Sequence, residues 1–293
     1  MAGWQEYHKL YSTGEHTVVG SVEILEQVWS PELRNRRDLL VYLPPSYSQG
    51  TQRYPVIYMH DGQNLFDRAT SYAGEWEVDE TMESLSHEGL EAIIVGIPNA
   101  GKRRIDEYTP FRDRRHGGGS GEDYLAFVIE TIKPMIDGDF RTKPEREHTA
   151  IIGSSLGGLI SLYAFFRFPA VFGLVGALSP ALWFADQAML RYLQVSPPVP
   201  GKMYIDAGGS ELSNTLADRL LRRSTRYLRS VRSAYQLLVR RGYTPGKDIL
   251  YVEEAEARHH EMFWARRLPT ALRFLLSREQ APGGGQAASA SRL

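Results

Sequence analysis

HTAIIGSSLGGLISLYAFF, residues 148–166, decides the architecture. Residues 149–152 are β-favouring and run straight into Gly153, Ser154, Ser155, Leu156 and Gly157, after which an apolar stretch continues from Leu159 to Phe166. A buried strand that turns at once into a buried helix is the repeating unit of a parallel sheet covered on both faces. The turn itself reads GxSxG. Glycine on either side removes Cβ atoms that would crowd so tight a reversal, so Ser155 can be held in a strained conformation with its hydroxyl exposed. Leu156 then opens a helix whose N-terminal N–H and dipole face the reacting centre, which is half of an oxyanion cradle. In a chain with 27 glycines GxSxG alone is a weak pattern; the strand before it and the helix after it give it weight.

The alternation continues on both sides. Apolar runs at 56–59, 92–97, 174–178, 203–205 and 249–252 predict further strands, and 78–86, 123–136, 156–168, 216–241 and 261–276 predict helices. From residue 17 to 47 the pattern is β-like on both sides of a polar turn at 31–37, which predicts an antiparallel hairpin ahead of the parallel strands. No repeat or linker divides this core. The expectation is one α/β domain over residues 1–278, with a mostly parallel central sheet flanked by helices and an N-terminal antiparallel hairpin, then a flexible tail over 279–293, where three glycines and alternating Ala and Ser cannot bury a core.

Composition removes several classes of function. The 293 residues carry 34 basic against 35 acidic side chains and no cysteine, which excludes a disulfide framework, a thiolate metal site and a cysteine nucleophile. A net charge of -1 gives no global reason to expect nucleic acid or an anionic membrane as partner. No apolar run approaches the length of a membrane span, and the first ten residues lack a basic start and an apolar core, so a cytoplasmic protein is expected.

A serine nucleophile needs a general base and an acid, in the chain order Ser, acid, His. Of eight histidines, only His259 and His260 follow the last strand and precede the last helix, so one of them is the expected base. For the acid, Asp206 ends the strand at 203–205 and Glu211 follows in the loop Gly208, Gly209, Ser210; the loop position is easier for an imidazole to reach and is preferred. His60 and Asp61 resemble a metal pair, but no third ligand stands at a recognisable spacing, so neither metal nor other cofactor is expected.

The stretches PVIYMHDGQNLFD at 55–67, VGIPN at 95–99, DEYTPFRD at 106–113, GSSLGG at 153–158, ALSPALWF at 177–184 and HHEMFWARRLP at 259–269 together resemble the family called Putative esterase, the esterase D or enterochelin esterase-like group of α/β-hydrolases. The resemblance covers roughly residues 37–276. It implies the α/β-hydrolase fold and a Ser-His-acid catalytic triad. In the family the catalytic histidine opens a His-Asn-Glu run ending in Trp, which falls on His259 here, counted back from Glu261 and Trp264, with His260 in place of Asn. The family's acid follows a strand and a Gly-Thr-like turn, which matches Gly208 to Glu211, with Gly209 in place of Thr. The second oxyanion donor follows the strand ending at His60, which is Gly62 or Gln63 by position.

The implied function is a serine carboxylesterase acting on a small-molecule ester. Trp76, Tyr108, Phe111, Trp183 and Phe263 could form an aromatic wall for an aryl or short acyl group, and an arginine among Arg103, Arg104, Arg112, Arg114 and Arg115 could grip an anionic one. Relatives of this kind include siderophore trilactone esterases, thioester hydrolases and acyltransferases, so the resemblance leaves the substrate open, as it does the oligomeric state. Two other classes compete: an inactive hydrolase-fold binding protein, and a polyanion binder using Arg219, Arg222, Arg223, Arg226 and Arg229, which recur at helical spacing.

Overall fold

The structure is a computed structural model that describes residues 3–11, 13–212 and 223–277. Nine strands form one sheet in the order β1-β2-β3-β5-β4-β6-β7-β8-β9. They are β1 (Gln5–Glu6), β2 (Ser21–Ser30), β3 (Asn35–Leu43), β4 (Val56–His60), β5 (Ile93–Ile97), β6 (Thr149–Ser154), β7 (Leu174–Leu178), β8 (Lys202–Gly208) and β9 (Ile249–Glu254). The expected hairpin is β2 and β3, paired antiparallel with a bulge between Leu25 and Val28, and β3 joins the sheet antiparallel to β5. From β5 to β9 every pairing is parallel. This is the α/β fold that the strand–elbow–helix unit implied.

The helices, numbered along the chain, are α1 (Tyr7–Leu10), α2 (Val78–Ser86), α3 (Arg104–Glu107), α4 (Gly121–Ala126), α5 (Lys133–Asp139), α6 (Leu156–Arg167), α7 (Phe184–Val195), α8 (Arg223–Arg240) and α9 (Glu261–Leu276). Side chains alternate across a strand, and here they feed two cores. Val56, Tyr58, Ile151, Val175 and Ile205 pack with α6, α8 and the run from α4 to α5; Ile57, Met59, Ala150, Ile152 and Tyr204 pack on the other face with α2 and α9. A sheet buried on both faces explains why the central strands are apolar throughout rather than alternating.

The helix expected at 123–136 spans α4, a π-helical turn at Phe127–Ile132, and α5. Pro134 at the start of α5 accounts for the break, because proline lacks an N–H and its ring crowds the carbonyl four residues back. α7 lies in a stretch the sequence reading left unassigned. Its buried residues are Phe184, Met189, Leu190 and Leu193, and three residues near its start, Ala185, Asp186 and Gln187, have positive φ, so the helical periodicity is interrupted as it begins. The expected tail at 279–293 and the first residues of the arginine-bearing helix lie outside the described residues.

Register places the site. Ser154 pairs with Leu178 and Leu178 with Asp206, so the residues that follow β6 and β7 emerge beside the last residues of β8, at one edge of the sheet. This is the C-terminal edge, where ligands of open parallel sheets bind.

Candidate active site

Ser155 lies between β6 and α6 with φ 58° and ψ -121°, a conformation that costs a non-glycine residue of order 1–3 kcal/mol. The turn is pinned from both directions. Its N–H donates to the carbonyls of Leu178 (3.0 Å) and Ser179 (3.1 Å), and its own carbonyl accepts from Ala181 N (2.9 Å) and Leu159 N (3.1 Å). The flanking glycines are needed for close approach: a Cβ on Gly153 would lie 2.7 Å from both the Gly157 carbonyl carbon and the His60 ring. The GxSxG spacing is therefore a packing requirement of the turn.

Glu211 and His259 come together although 48 residues apart. His259 Nδ1 is 2.6 Å from Glu211 Oε2, and the His259 N–H donates to the Glu211 carbonyl at 3.2 Å. Glu211 is fully buried, and its other oxygen accepts from Gly208 N and the Ser179 hydroxyl. Burial pushes its carboxyl up, but the His259 ring, Ser179 and Gly208 together hold it below the ordinary glutamate value. An ionised carboxylate can only accept, so His259 carries its proton on Nδ1 and leaves Nε2 as the basic atom. Edge contacts to Tyr227 (centroids 5.4 Å apart) and Trp264 (5.0 Å) fix the plane of the imidazole. His260 plays a different part. It caps α9, accepting Met262 N on its own Nδ1 at 3.2 Å.

Asp206, the other candidate acid, is not at the imidazole. It sits beneath the site, bonded to Ser179 N (2.8 Å), Tyr204 Oη (3.0 Å) and Arg267 Nε (2.8 Å). Burial pushes its carboxyl up to about 6 against the pull of Arg267. Arg267 also donates to Ser179 Oγ at 2.9 Å, as does Trp264 Nε1 at 3.2 Å. Ser179 thus joins the elbow, the Glu211 carboxylate and the Asp206–Arg267 pair, and its carbonyl accepts the Tyr227 hydroxyl as well. Burial holds the phenol of the same tyrosine well above its usual value. Sequence reasoning missed Ser179, Tyr227 and Arg267. The SPA turn at 179–181 was the available signal for the first; Tyr227 was hidden in a helix read for its arginines, and Arg267 in a run of charged and apolar residues on α9.

Arg267→Met is expected to leave the Asp206 carboxylate buried without its cation, at about 3–5 kcal/mol of stability by the precedent of broken buried pairs. Urea unfolding followed by fluorescence would measure it, and a loss under 1 kcal/mol would mean that the pair is hydrated.

On the neighbouring strand, Asp61 (φ 56°) turns the chain after β4 into Gly62 and Gln63. Its carboxylate is gripped by Arg104 through Nε (2.7 Å) and Nη2 (2.8 Å) and by Asn99 Nδ2 (2.6 Å), while its N–H donates to Tyr108 Oη at 3.0 Å. Gly62 has no room for a side chain, since a Cβ would lie 2.6 Å from Gly96 C and Ile97 N. β4 and β6 are parallel neighbours, so this segment and the elbow share the same edge of the sheet. His60 faces inward, bonded to Tyr124 Oη at 2.7 Å, and burial lowers its pKa to about 3, so it is neutral.

The expected aromatic wall divides. Trp76 and Tyr108 are buried: Trp76 packs on Trp264 (5.6 Å), and the Tyr108 hydroxyl accepts the Asp61 N–H. Trp183 is 42% exposed, and Phe263 lines a cavity of ≈ 500 Å³ together with His259, His260, Arg258, Met262, Arg266 and Glu256. Among the arginines expected to grip an anion, Arg104 is committed to Asp61. Arg226 and Arg229 on α8 are exposed; Arg219 and Arg222 lie outside the described residues. No helix among the described residues is long and apolar enough to cross a membrane.

Residues 30–275 match the family described as Putative esterase. The chain is 28% identical over 254 residues to the uncharacterized protein YbbA of Bacillus subtilis, covering 84% of this chain and 95% of that one. It is 28% identical over 153 residues to a siderophore enterobactin esterase of Emericella nidulans, covering 46% and 48% of the two chains. Among solved structures, the siderophore hydrolase EstA from Aspergillus nidulans matches with TM-score 0.67 at 20% identity, over 87% of this chain and 93% of that one, and a ferulic acid esterase with TM-score 0.63 at 19% identity, over 87% and 98%. The structural likenesses speak for the hydrolase fold, and the family match over most of the chain speaks for descent: this chain belongs to the Putative esterase family of α/β-hydrolases.

Proposed function

We propose that the chain is a serine carboxylic-ester hydrolase in which Ser155 is the nucleophile, His259 the general base and acid, and Glu211 the group that orients the imidazole. The observation that carries this reading is the 2.6 Å pair of a buried Glu211 carboxylate with His259 Nδ1, at the same sheet edge as a serine held at φ 58°. Ser155 Oγ attacks the ester carbonyl carbon as its proton passes to His259 Nε2. The tetrahedral intermediate then collapses, the bond to the alcohol oxygen breaks, and the imidazolium returns the proton to the leaving group. Water repeats the sequence on the acyl-enzyme, releasing the acid and restoring Ser155. The oxyanion is held by Leu156 N and an N–H of Gly62 or Gln63, each such donor typically worth about 3–4 kcal/mol in the transition state.

The substrate we favour is a small or aryl ester, with Phe263 beside His259 in the same cavity and Trp183 an exposed ring just ahead of α7. A siderophore lactone is the second reading, favoured by relatives named as siderophore esterases. The test is hydrolysis of p-nitrophenyl acetate and butyrate, followed by labelling with a fluorophosphonate and peptide mass analysis. Turnover with a single adduct on Ser155 is expected. An unlabelled, inert protein would favour an inactive hydrolase fold that acts by binding.

A further inference from the structure

Away from this site, three carboxylates gather where α2 begins. Glu75 directly follows Gly74, separated from the helix by Trp76 and Glu77, and Asp79 and Glu80 stand in the first turn of α2. One carboxylate oxygen from each lies within 4.8 Å of the other two. Asp79 is fully buried: its Oδ2 accepts Val19 N at 2.7 Å, while its Oδ1 has no partner. Glu80 Oε2 is likewise buried and without a partner. Both oxygens of Glu75 lean on the single hydroxyl of Thr17, at 3.0 and 2.9 Å, and one hydroxyl has only one proton to give.

The surroundings add negative charge. Asp67, Glu77 and Glu80 all act on Glu75, and His16 is bound to Asp67 at 2.6 Å. Among the described residues no ion pair reaches Glu75, Asp79 or Glu80. Buried carboxylate oxygens that face one another with no donor between them require either a proton or a cation. Burial, with the neighbouring acids, pushes Glu75 up to about 7 and Asp79 up to about 9, which is the cost of leaving the cluster to protons alone.

We propose that Glu75, Asp79 and Glu80 bind one hard divalent cation of the calcium class, which ties the segment Thr17–Val19, just ahead of β2, to the start of α2. All-oxygen, all-carboxylate donors suit Ca²⁺, Mg²⁺ or Mn²⁺ rather than zinc, which favours nitrogen and sulfur. The site also stands behind the esterase centre. Trp76, next to Glu75 in the chain, packs on Trp264, and Trp264 on the His259 ring. The cation is structural in this reading and enters no step of ester hydrolysis.

The test is thermal unfolding and titration calorimetry of the chelator-treated full chain with CaCl₂, and with MgCl₂ and MnCl₂ in parallel. A saturable rise in the melting temperature is expected, with one cation bound per chain and a larger rise at about pH 8 than at about pH 5.5, because protons compete for the same oxygens. Glu80→Gln should abolish the response and raise the cation-free melting temperature, since its amide N–H can satisfy Asp79 Oδ1; Glu75→Gln should weaken the response independently. The proposal is overturned if millimolar cation shifts nothing while stability simply falls as pH rises from about 5 to 9, the signature of a shared proton in a folded state with raised carboxyl pKa values. It is equally overturned if binding survives both substitutions.

Discussion

Ser155→Ala is expected to reduce kcat for p-nitrophenyl acetate by on the order of 10⁶-fold, the scale at which a covalent nucleophile is lost, while leaving substrate binding largely intact. Stability should hardly change, because alanine inherits the same backbone strain at φ 58° and the same N–H bonds to Leu178 and Ser179. Ser155→Gly should be equally inactive yet melt at a higher temperature, since glycine adopts this conformation without the steric cost. Steady-state kinetics beside differential scanning calorimetry on the three proteins would check both statements. An alanine variant with a tenth or more of wild-type turnover would remove Ser155 from the chemistry and with it the proposed acyl-enzyme.

His259→Ala and His260→Ala should separate by several orders of magnitude. Loss of the proposed base costs about as much as loss of the nucleophile, because the two act as one unit in proton transfer. His260 is bound into the cap of α9 through Met262 N, so its removal is expected to cost about 1 kcal/mol of stability, the usual value of an N-cap, and less than tenfold in rate. Single-turnover kinetics with denaturant melts would read both effects. The reverse ranking would move the base to His260 and leave the Glu211–His259 pair as a structural contact. Glu211 meets that ring only because Gly208 N and the Ser179 hydroxyl hold its far oxygen, so the orientation of the imidazole depends on residues well outside the His259 loop.

Much of the fold was legible because it is written locally. The strand–elbow–helix at 148–166, the hairpin turn, α2 and α9 each show their periodicity or punctuation within a dozen residues, and the structure has them where the pattern put them. α7 was not, because left-handed residues at its start interrupt the apolar spacing. Among the site residues, Ser155 and the pair His259 and His260 stood out by local motif, and the resemblance to the esterase family pointed to the first histidine. Whether Glu211 or Asp206 reaches the imidazole is a different kind of question, since the two are only five positions apart at the end of the same strand pattern.

That question is answered by packing. Asp206 ends inside the sheet edge, where Arg267 from α9, 61 residues on, neutralises it; Glu211 emerges into the loop that touches the His259 backbone. The same holds for Ser179, whose hydroxyl is shared by Glu211, Trp264 and Arg267, and for Trp76 and Tyr108, whose rings are buried against Trp264 and the Asp61 turn. The sequence by itself determined the strand and helix order, the parallel sheet and the glycine-flanked serine, because backbone conformation and apolar periodicity are short-range properties. Only the tertiary structure decided which acid meets which imidazole and which aromatics face solvent, because a buried charge or ring takes its partner from elements brought together across the whole length of the chain.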